Sequence, residues 1–241
     1  MHIHLINPNS TASMTRQALD SALLVKHSQT RLSASNPLDT PPSIEGGADE
    51  ALAVPSMLGE IRKGESQGVD AYVIACFDDP GLNAAREVAT GPVIGICQAA
   101  IQVAMTISRR FSVITTLPRS VAIIEDLVLS YGAAHHCRKV RAINLPVLAL
   151  EEEREQAEQL LIWEIERARL EDGAEAIVLG CAGMSSLCER LKQATGIPVI
   201  DGVTAAIKIA EALVGAGYTT SKVNSYDYPL SKKPALSKRI A

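Results

Sequence analysis

Two cysteines occupy matching positions in the sequence and are the residues most suited to acid-base chemistry. Cys76 lies in IACFDDPG and Cys181 lies in VLGCAGMS, and each follows a short apolar run that is typical of a buried strand. The helix expected after each strand presents unpaired backbone N–H groups, which stabilise a thiolate and lower a thiol pKa from about 8.5 toward neutrality. Two such thiols would supply a base on one side of a substrate and an acid on the other.

Cysteine is also one of the most often buried residues, where it acts as a small apolar side chain. We assign this structural role to Cys137, which follows two histidines in a predicted loop, and to Cys188 within a predicted helix. Cys97, after the strand PVIGI, is either a core residue or a third thiol beside the cleft. The five cysteines include no C-x-x-C pair and no zinc-ligand spacing, so we expect free thiols, no metal and a cytoplasmic location.

An internal repeat supports the pairing of Cys76 with Cys181. Residues 68–100 match residues 172–206: an acidic residue and Ala precede a strand, Cys ends it, a glycine turn opens a helix, and a Pro-Val-Ile run begins the next strand. The polar segments HLINPNST and FSVITTLPRS stand at equivalent distances before the two cysteines. The sequence therefore predicts a duplicated βα unit in which each half supplies one cysteine and one polar loop.

Short apolar runs alternate with helix-length segments along the chain, which is typical of an α/β protein with parallel sheets. We predict two similar Rossmann-like βα domains related by pseudo-twofold symmetry, with the active site in the cleft between them. The first domain would comprise residues 1–97 plus 204–241, and the second residues 98–203. The predicted strands are residues 3–6, 71–75, 92–96, 111–114, 176–179 and 197–200.

Composition and charge exclude several classes of partner. The 241 residues are 47% hydrophobic and 21% charged, which is ample for a packed core, and the net charge of −4 disfavours nucleic acid. No apolar run reaches the roughly 18–20 residues of a membrane span. The glycines form no phosphate-binding motif and no lysine suggests a pyridoxal Schiff base, so we expect no cofactor. The basic pairs Lys232-Lys233 and Lys238-Arg239 are interpreted as a solvated tail.

Seven segments carry a more specific signal: INPNST…MT (6–15), SIEGGADEALAVP (43–55), DAYVIACFDDPGL…ARE (70–87), PVIGICQAA (92–100), RFSVITTLPRS (110–120), EAIVLGCAGM (175–184) and PVIDGV (198–203). Together they resemble the hydantoin racemase family, which includes allantoin racemases and belongs to the aspartate/glutamate racemase superfamily. The resemblance covers roughly residues 3–226. As a set the segments are specific, although INPN or GCAG alone would be a weak signal.

The resemblance implies a cofactor-independent racemase that acts through two bases. One cysteine removes the proton from C5 of a hydantoin ring, and the other, as a neutral thiol, delivers a proton from the opposite face. Cys76 matches the first family cysteine and Cys181 the second. The resemblance also implies a homo-oligomer, and it leaves open whether allantoin or another 5-substituted hydantoin is preferred.

Removal of the C5 proton leaves an enolate, so the site must present hydrogen-bond donors to the oxygen that gains charge. We expect backbone N–H groups to fill this role around Phe77-Asp78 and around Ala182-Gly183. The remaining candidate substrate-binding residues are Asn9, Ser43, Thr115, Thr116 and Met184.

The charges of the predicted cleft loops favour a neutral ligand. Only Arg119 is cationic among them, whereas a free amino acid would need a partner for its carboxylate. Asp78 and Asp79 are expected to cap the helix after Pro80-Gly81. Two alternatives stay open: an amino-acid racemase or enolate-forming decarboxylase of the same superfamily, and a non-catalytic small-molecule binder.

Overall fold

The computed structural model describes residues 1–230 of the chain. The predicted basic tail, from Lys232 to Arg239, lies outside the described residues. Within the described part of the chain, none of the helices combines the length and apolar character needed to cross a membrane.

Each half of the chain forms a parallel sheet of four strands. The first sheet contains β1 (His2–Ile6), β2 (Arg31–Ser35), β3 (Ala71–Ile74) and β4 (Val93–Gly95). The second contains β5 (Phe111–Thr115), β6 (Cys137–Ala142), β7 (Ala176–Leu179) and β8 (Val199–Ile200). The orders β2-β1-β3-β4 and β6-β5-β7-β8 are equivalent, so the predicted α/β fold with two similar parallel sheets is confirmed.

The sequence pattern does not predict strands β2 and β6. Their sequences, RLSAS and CRKVRA, are too polar to stand out as strands. Each is an edge strand that is partly exposed, unlike the buried edge strands β4 and β8, so burial does not impose an apolar run. Cys137 is the first residue of β6, so its predicted place in a loop is wrong.

Helices connect the strands and cover the sheets. Their bounds are α1 Ala12–Val25, α2 Gly47–Ser66, α3 Leu82–Val88, α4 Ile96–Ile107, α5 Val121–Ser130, α6 Ala149–Glu152, α7 Arg154–Arg167, α8 Cys188–Thr195 and α9 Gly202–Gly215.

Two helices exchange partners between the sheets. Helix α4 follows the first sheet but packs against β7 of the second, whereas α9 follows the second sheet and packs against β3 and β4 of the first. The two helices also pack against each other, and buried residues of both sheets join in one core around them. These contacts support the predicted division into residues 1–97 plus 204–241 and residues 98–203, which stays a prediction.

The two helices meet where each leaves its strand. A Cβ atom on Gly202, the first residue of α9, would lie 2.6 Å from the carbonyl oxygen of Ile96, the first residue of α4. The obstacle is backbone, which cannot rotate away as a side chain can. This close approach therefore requires glycine at position 202.

We expect Gly202→Ala to lower the free energy of unfolding by about 1–3 kcal/mol, because the added methyl group pushes α9 away from α4. Urea unfolding followed by circular dichroism measures the change. Gly215→Ala, at the other end of α9, is the matched control, since its nearest neighbour would be the Met1 side chain at 3.9 Å. Equal stability of the two variants would contradict the restriction at the crossing.

Candidate active site

The loops that follow the central strands of both sheets meet at one cavity. Ligand sites of parallel sheets lie in the same way, beyond the carboxyl ends of strands. Asn9 lines the cavity after β1, residues 75–78 after β3, Thr115 and Thr116 at the end of β5, and residues 180–182 after β7. Its walls are completed by Met14, Ile44, Ser120 and Val147.

Cys76 and Cys181 both line this cavity, one from each half of the chain. Burial raises the pKa of the Cys76 thiol well above its usual value, the carboxylate of Asp78 raises it further, and a hydrogen bond from the Asp78 backbone N–H lowers it. Burial raises the pKa of Cys181 to about 12, against a hydrogen bond from the Gly183 backbone N–H. The expected lowering of both pKa values is therefore wrong: the backbone donors are present, but burial between the two halves outweighs them.

A buried carboxylate ties the Cys76 loop to helix α4. Asp79 accepts hydrogen bonds from the backbone N–H groups of Cys97 at 3.1 Å and Gln98 at 2.9 Å, and from the Tyr131 hydroxyl at 2.8 Å. Its own N–H donates to the Cys76 carbonyl at 3.1 Å. Asp79 thus caps α4, and the predicted capping of α3 is wrong, because α3 begins after Gly81 with no side-chain cap.

A second buried carboxylate, that of Asp201, connects the Cys181 loop to helix α9 in an equivalent way. Asp201 precedes α9, and its carboxylate accepts hydrogen bonds from the backbone N–H groups of Val203 at 3.2 Å and Thr204 at 2.9 Å. The hydroxyl of Ser185, four residues after Cys181, donates to the same carboxylate at 2.5 Å. Both cysteine loops are therefore anchored to the helix that follows the next strand.

Asn9 presents N–H donors to the cavity. Its side-chain oxygen accepts hydrogen bonds from Asn7 Nδ2 at 2.8 Å and from the Thr11 backbone N–H at 2.9 Å. This fixes the orientation of the amide and leaves Nδ2 with only a weak contact to the Met14 sulfur at 3.6 Å. Asn9 can therefore donate to a carbonyl oxygen of a ligand.

Hydroxyl groups of the second half face the same space. Thr115 donates to the Gly180 carbonyl at 3.0 Å, which joins the ends of β5 and β7 and leaves its oxygen able to accept. Thr116 and Ser120 are buried and line the cavity. Ser120 was missed by sequence reasoning, although it ends the FSVITTLPRS segment that matches the polar loop of the first half.

Of the remaining residues predicted to bind substrate, some line the cavity and others do not. Phe77, Asp78 and Ala182 line the cavity. Ser43 is partly exposed and does not line it, whereas its neighbour Ile44 does. Three further residues do not line the cavity. Gly183 lies beside the Cys181 thiol, whose Sγ atom would be 3.7 Å from a Cβ atom on this glycine. Met184 and Cys97 are fully buried in the core. Cys97 is therefore a core residue rather than a third thiol beside the cleft.

Among residues 1–230, the side chains that line the cavity include an aspartate but no cationic group. Asp78 is the carboxyl group in its wall, and among residues 1–230 no Lys, Arg or His side chain lines it. Arg119, the predicted cation of the cleft loops, packs its guanidinium against Gly46 instead. Within the same residues, no three His, Cys, Asp or Glu side chains converge as metal ligands would.

Contacts between the halves narrow the cavity. Its volume of about 30 Å³ suits one or two water molecules rather than an organic ring. Ile44 and Val147 face it from opposite halves, and Glu45 Oε1 accepts a hydrogen bond from the Val147 backbone N–H at 2.9 Å. Entry of a substrate therefore requires the loops that carry these residues to separate.

The arrangement is that of a racemase-type enzyme, and comparison with known proteins agrees. The family model for Asp/Glu/Hydantoin racemase matches residues 3–210. A hydantoin racemase of Rhizobium meliloti is 80% identical over 235 residues, which are 98% of this chain and 98% of that protein. The chain belongs to the Asp/Glu/Hydantoin racemase family and is an isomerase of the racemase class.

Two solved structures share the whole fold. An allantoin racemase from Klebsiella pneumoniae has a TM-score of 0.94 and 47% identity, covering 99% of this chain and 97% of that one. The allantoin racemase AllR from Pseudomonas fluorescens has a TM-score of 0.93 and 38% identity, covering 97% of this chain and 99% of that one. The two-sheet architecture is therefore common to these racemases and this chain.

The two adjacent aspartates should respond differently to substitution. Asp79→Ala leaves two backbone N–H groups and a tyrosine hydroxyl without their acceptor, so we expect the free energy of unfolding to fall by about 1–3 kcal/mol. Asp78→Ala is the matched control and should leave it unchanged within about 0.5 kcal/mol or raise it, because a buried carboxyl without a hydrogen bond is removed. Urea unfolding of both variants is the measurement, and a larger loss for Asp78→Ala would contradict the assignment of Asp79 as the anchor.

Proposed function

We propose that the chain racemises 5-substituted hydantoins, allantoin among them, by a cofactor-independent two-base mechanism. Racemisation of this substrate class follows from the family and from the 80% identical hydantoin racemase. The observation that carries the mechanism is that Cys76 and Cys181 line one cavity from opposite halves of a duplicated fold. Such a pair can address the two faces of a planar ring.

The reaction requires one thiol to be ionised and the other neutral, so one of the two buried thiols must first lose its proton to the solvent. The thiolate takes the C5 proton, the electron pair moves into the adjacent C4 carbonyl, and the neutral thiol gives its proton to the opposite face of C5. A negative charge on Cys181 raises the pKa of Cys76, so once one thiol is ionised the other is held neutral. The raised pKa values also make each thiolate a stronger base toward a weakly acidic C–H group.

The cavity offers donors for the enolate oxygen and for the other ring carbonyl. Asn9 Nδ2 is one of them. In residues 1–230 the backbone N–H groups of Phe77 and Ala182 have no acceptor, and both residues line the cavity. These preorganised dipoles would stabilise the charge that develops on C4 oxygen.

The charge of the site supports a neutral ring over a free amino acid. A carboxylate substrate would meet the Asp78 carboxyl group and one thiolate, with no cation in the wall formed by the described residues. Hydantoins bring no such charge at neutral pH. The alternatives of an amino-acid racemase and a decarboxylase gain no support from this wall.

The two-thiol mechanism is tested by Cys76→Ser and Cys181→Ser. We expect each variant to lose roughly 10²–10⁴-fold in racemisation rate, because a hydroxyl is a far weaker acid than a thiol. Loss of optical rotation and C5 deuterium uptake in D₂O are followed for (S)- and (R)-5-substituted hydantoins and for allantoin. Cys137→Ser, on the outer strand away from the cavity, is the matched control and should keep the wild-type rate.

Wild-type rates for both serine variants would refute the two-thiol mechanism. Absence of C5 exchange in every hydantoin and in allantoin would refute the substrate class as well. A non-catalytic binder would bind these rings equally well after both cysteines are replaced, with no exchange at any stage.

Cofactor independence is tested separately. We expect the rate of C5 exchange to be unchanged after prolonged dialysis against a metal chelator, because the thiols and the donors already supply the acid, the base and the enolate stabilisation. The rate before and after dialysis, and after return of divalent metal ions, is the measurement. A loss that metal ions restore would contradict the proposal. A homo-oligomer and a cytoplasmic location stay predictions.

A further inference from the structure

The side chain of Asp78 has no role in the two-thiol mechanism, although it lines the cavity. It is 9% exposed, and no hydrogen bond reaches its carboxyl group from residues 1–230. Asp79, its neighbour in sequence, is by contrast fully engaged with helix α4. The carboxyl group of Asp78 is therefore free to bind a ligand that enters the cavity.

The acidic groups around Asp78 favour its neutral form. Glu50, in the first turn of α2, faces it and has a buried Oε1 atom that also lacks a partner. Asp79 and Cys76 belong to the same loop, and Cys181 faces it from the second half of the chain. Burial, with the charges of Glu50 and Asp79, raises the pKa of Asp78 to about 7.

The nearest cation does not offset these acids. Arg119 packs against Gly46 at the start of α2, and in the described residues it forms no ion pair with Glu50 or Asp78. Burial among acids without a cation raises the pKa of this carboxyl group to about 7, so its protonated form is populated up to about neutral pH. In that form it carries an O–H donor and a C=O acceptor side by side.

A hydantoin ring presents the complement of this pair. Each ring N–H stands beside a carbonyl in a cis amide, so donor and acceptor point the same way along one edge. Asn9 Nδ2 and the N–H groups of Phe77 and Ala182 can only donate, and a hydroxyl of Thr115 can accept from one ring N–H but does not offer a donor and an acceptor side by side. Asp78 is the carboxyl group among the wall residues that can supply both.

We propose that the neutral carboxyl group of Asp78 binds a cis-amide edge of the substrate ring through two hydrogen bonds. Its O–H donates to a ring carbonyl, and its C=O accepts from the adjacent ring N–H. This inference rests on the proposed function, because it takes the ring as the ligand. Asp78 is then a specificity-determining residue that selects cyclic amides and excludes carboxylates.

Binding of 5,5-dimethylhydantoin tests this without any proton transfer, because the ring has no hydrogen at C5. Calorimetry gives its Kd for the wild type, Asp78→Asn and Asp78→Ala, with thermal unfolding as the check that each variant is folded. A carboxamide keeps one donor and one acceptor, so Asp78→Asn should bind within about threefold of the wild type. Asp78→Ala loses both bonds and should bind roughly ten- to a hundredfold more weakly.

The pH dependence of Kd separates the neutral acid from a carboxylate. Wild-type binding should weaken as pH rises through about 7, where Asp78 loses its O–H proton, and binding to Asp78→Asn should not. Glu50→Gln removes a neighbouring negative charge and should move the weakening to lower pH. N1-methyl and N3-methyl derivatives identify the edge: methylation of the nitrogen that Asp78 contacts should weaken wild-type binding but not binding to Asp78→Ala.

Equal Kd values for the wild type and Asp78→Ala would overturn the inference, and so would undetectable binding of the ring by the wild type. Wild-type binding that strengthens as pH rises through 7, with Asp78→Asn as weak as Asp78→Ala, would show a carboxylate acceptor instead. These outcomes are independent of the two-thiol mechanism. Serine variants that keep racemising would refute that mechanism while leaving an Asp78-dependent Kd intact.

Discussion

In each half of the chain, an aspartate carboxylate connects the loop that carries the cysteine to the N-terminus of a helix that lies further along the sequence. These two contacts fix the positions of the thiols. Asp79 extends from the Cys76 loop to the start of α4, and Asp201 receives Ser185 from the Cys181 loop at the start of α9. Helices α4 and α9 pack against each other, so the two aspartates attach the cysteine loops to one pair of packed helices. The distance between the thiols is thus set by helix packing in the core, while the loops themselves stay short.

The duplicated architecture could be predicted because the two halves of the chain repeat the same local sequence pattern. Strand, cysteine, turn and Pro-Val-Ile run recur in the same order, and buried parallel strands read as apolar runs. The same physics explains why β2 and β6 were missed, since partly exposed edge strands need no apolar run. The candidate thiols and Asn9 belonged to the repeated segments, and Ser120 completed one of them.

Features that depend on contacts between distant segments could not be predicted. Asp79 lies just before helix α3 in the sequence, so proximity suggested that it caps α3, but its carboxylate accepts hydrogen bonds from N–H groups of α4 instead. The direction of the thiol pKa shifts was wrong for a related reason. Backbone donors near each cysteine are a local property, whereas burial arises only when the second half of the chain covers the first.

The surroundings of the two thiols are unequal. Cys76 is followed by Phe77 and then by two aspartates, whereas Cys181 is followed by alanine and glycine. For substrates that are mirror images of each other, these unequal surroundings cannot give the two directions of racemisation different values of kcat/KM. The enantiomers have equal free energy and share one transition state, so kcat/KM must be the same in both directions whatever surrounds each thiol. The unequal halves can alter only how that common ratio divides between turnover and binding for each hand, and the racemic mixture remains the end point.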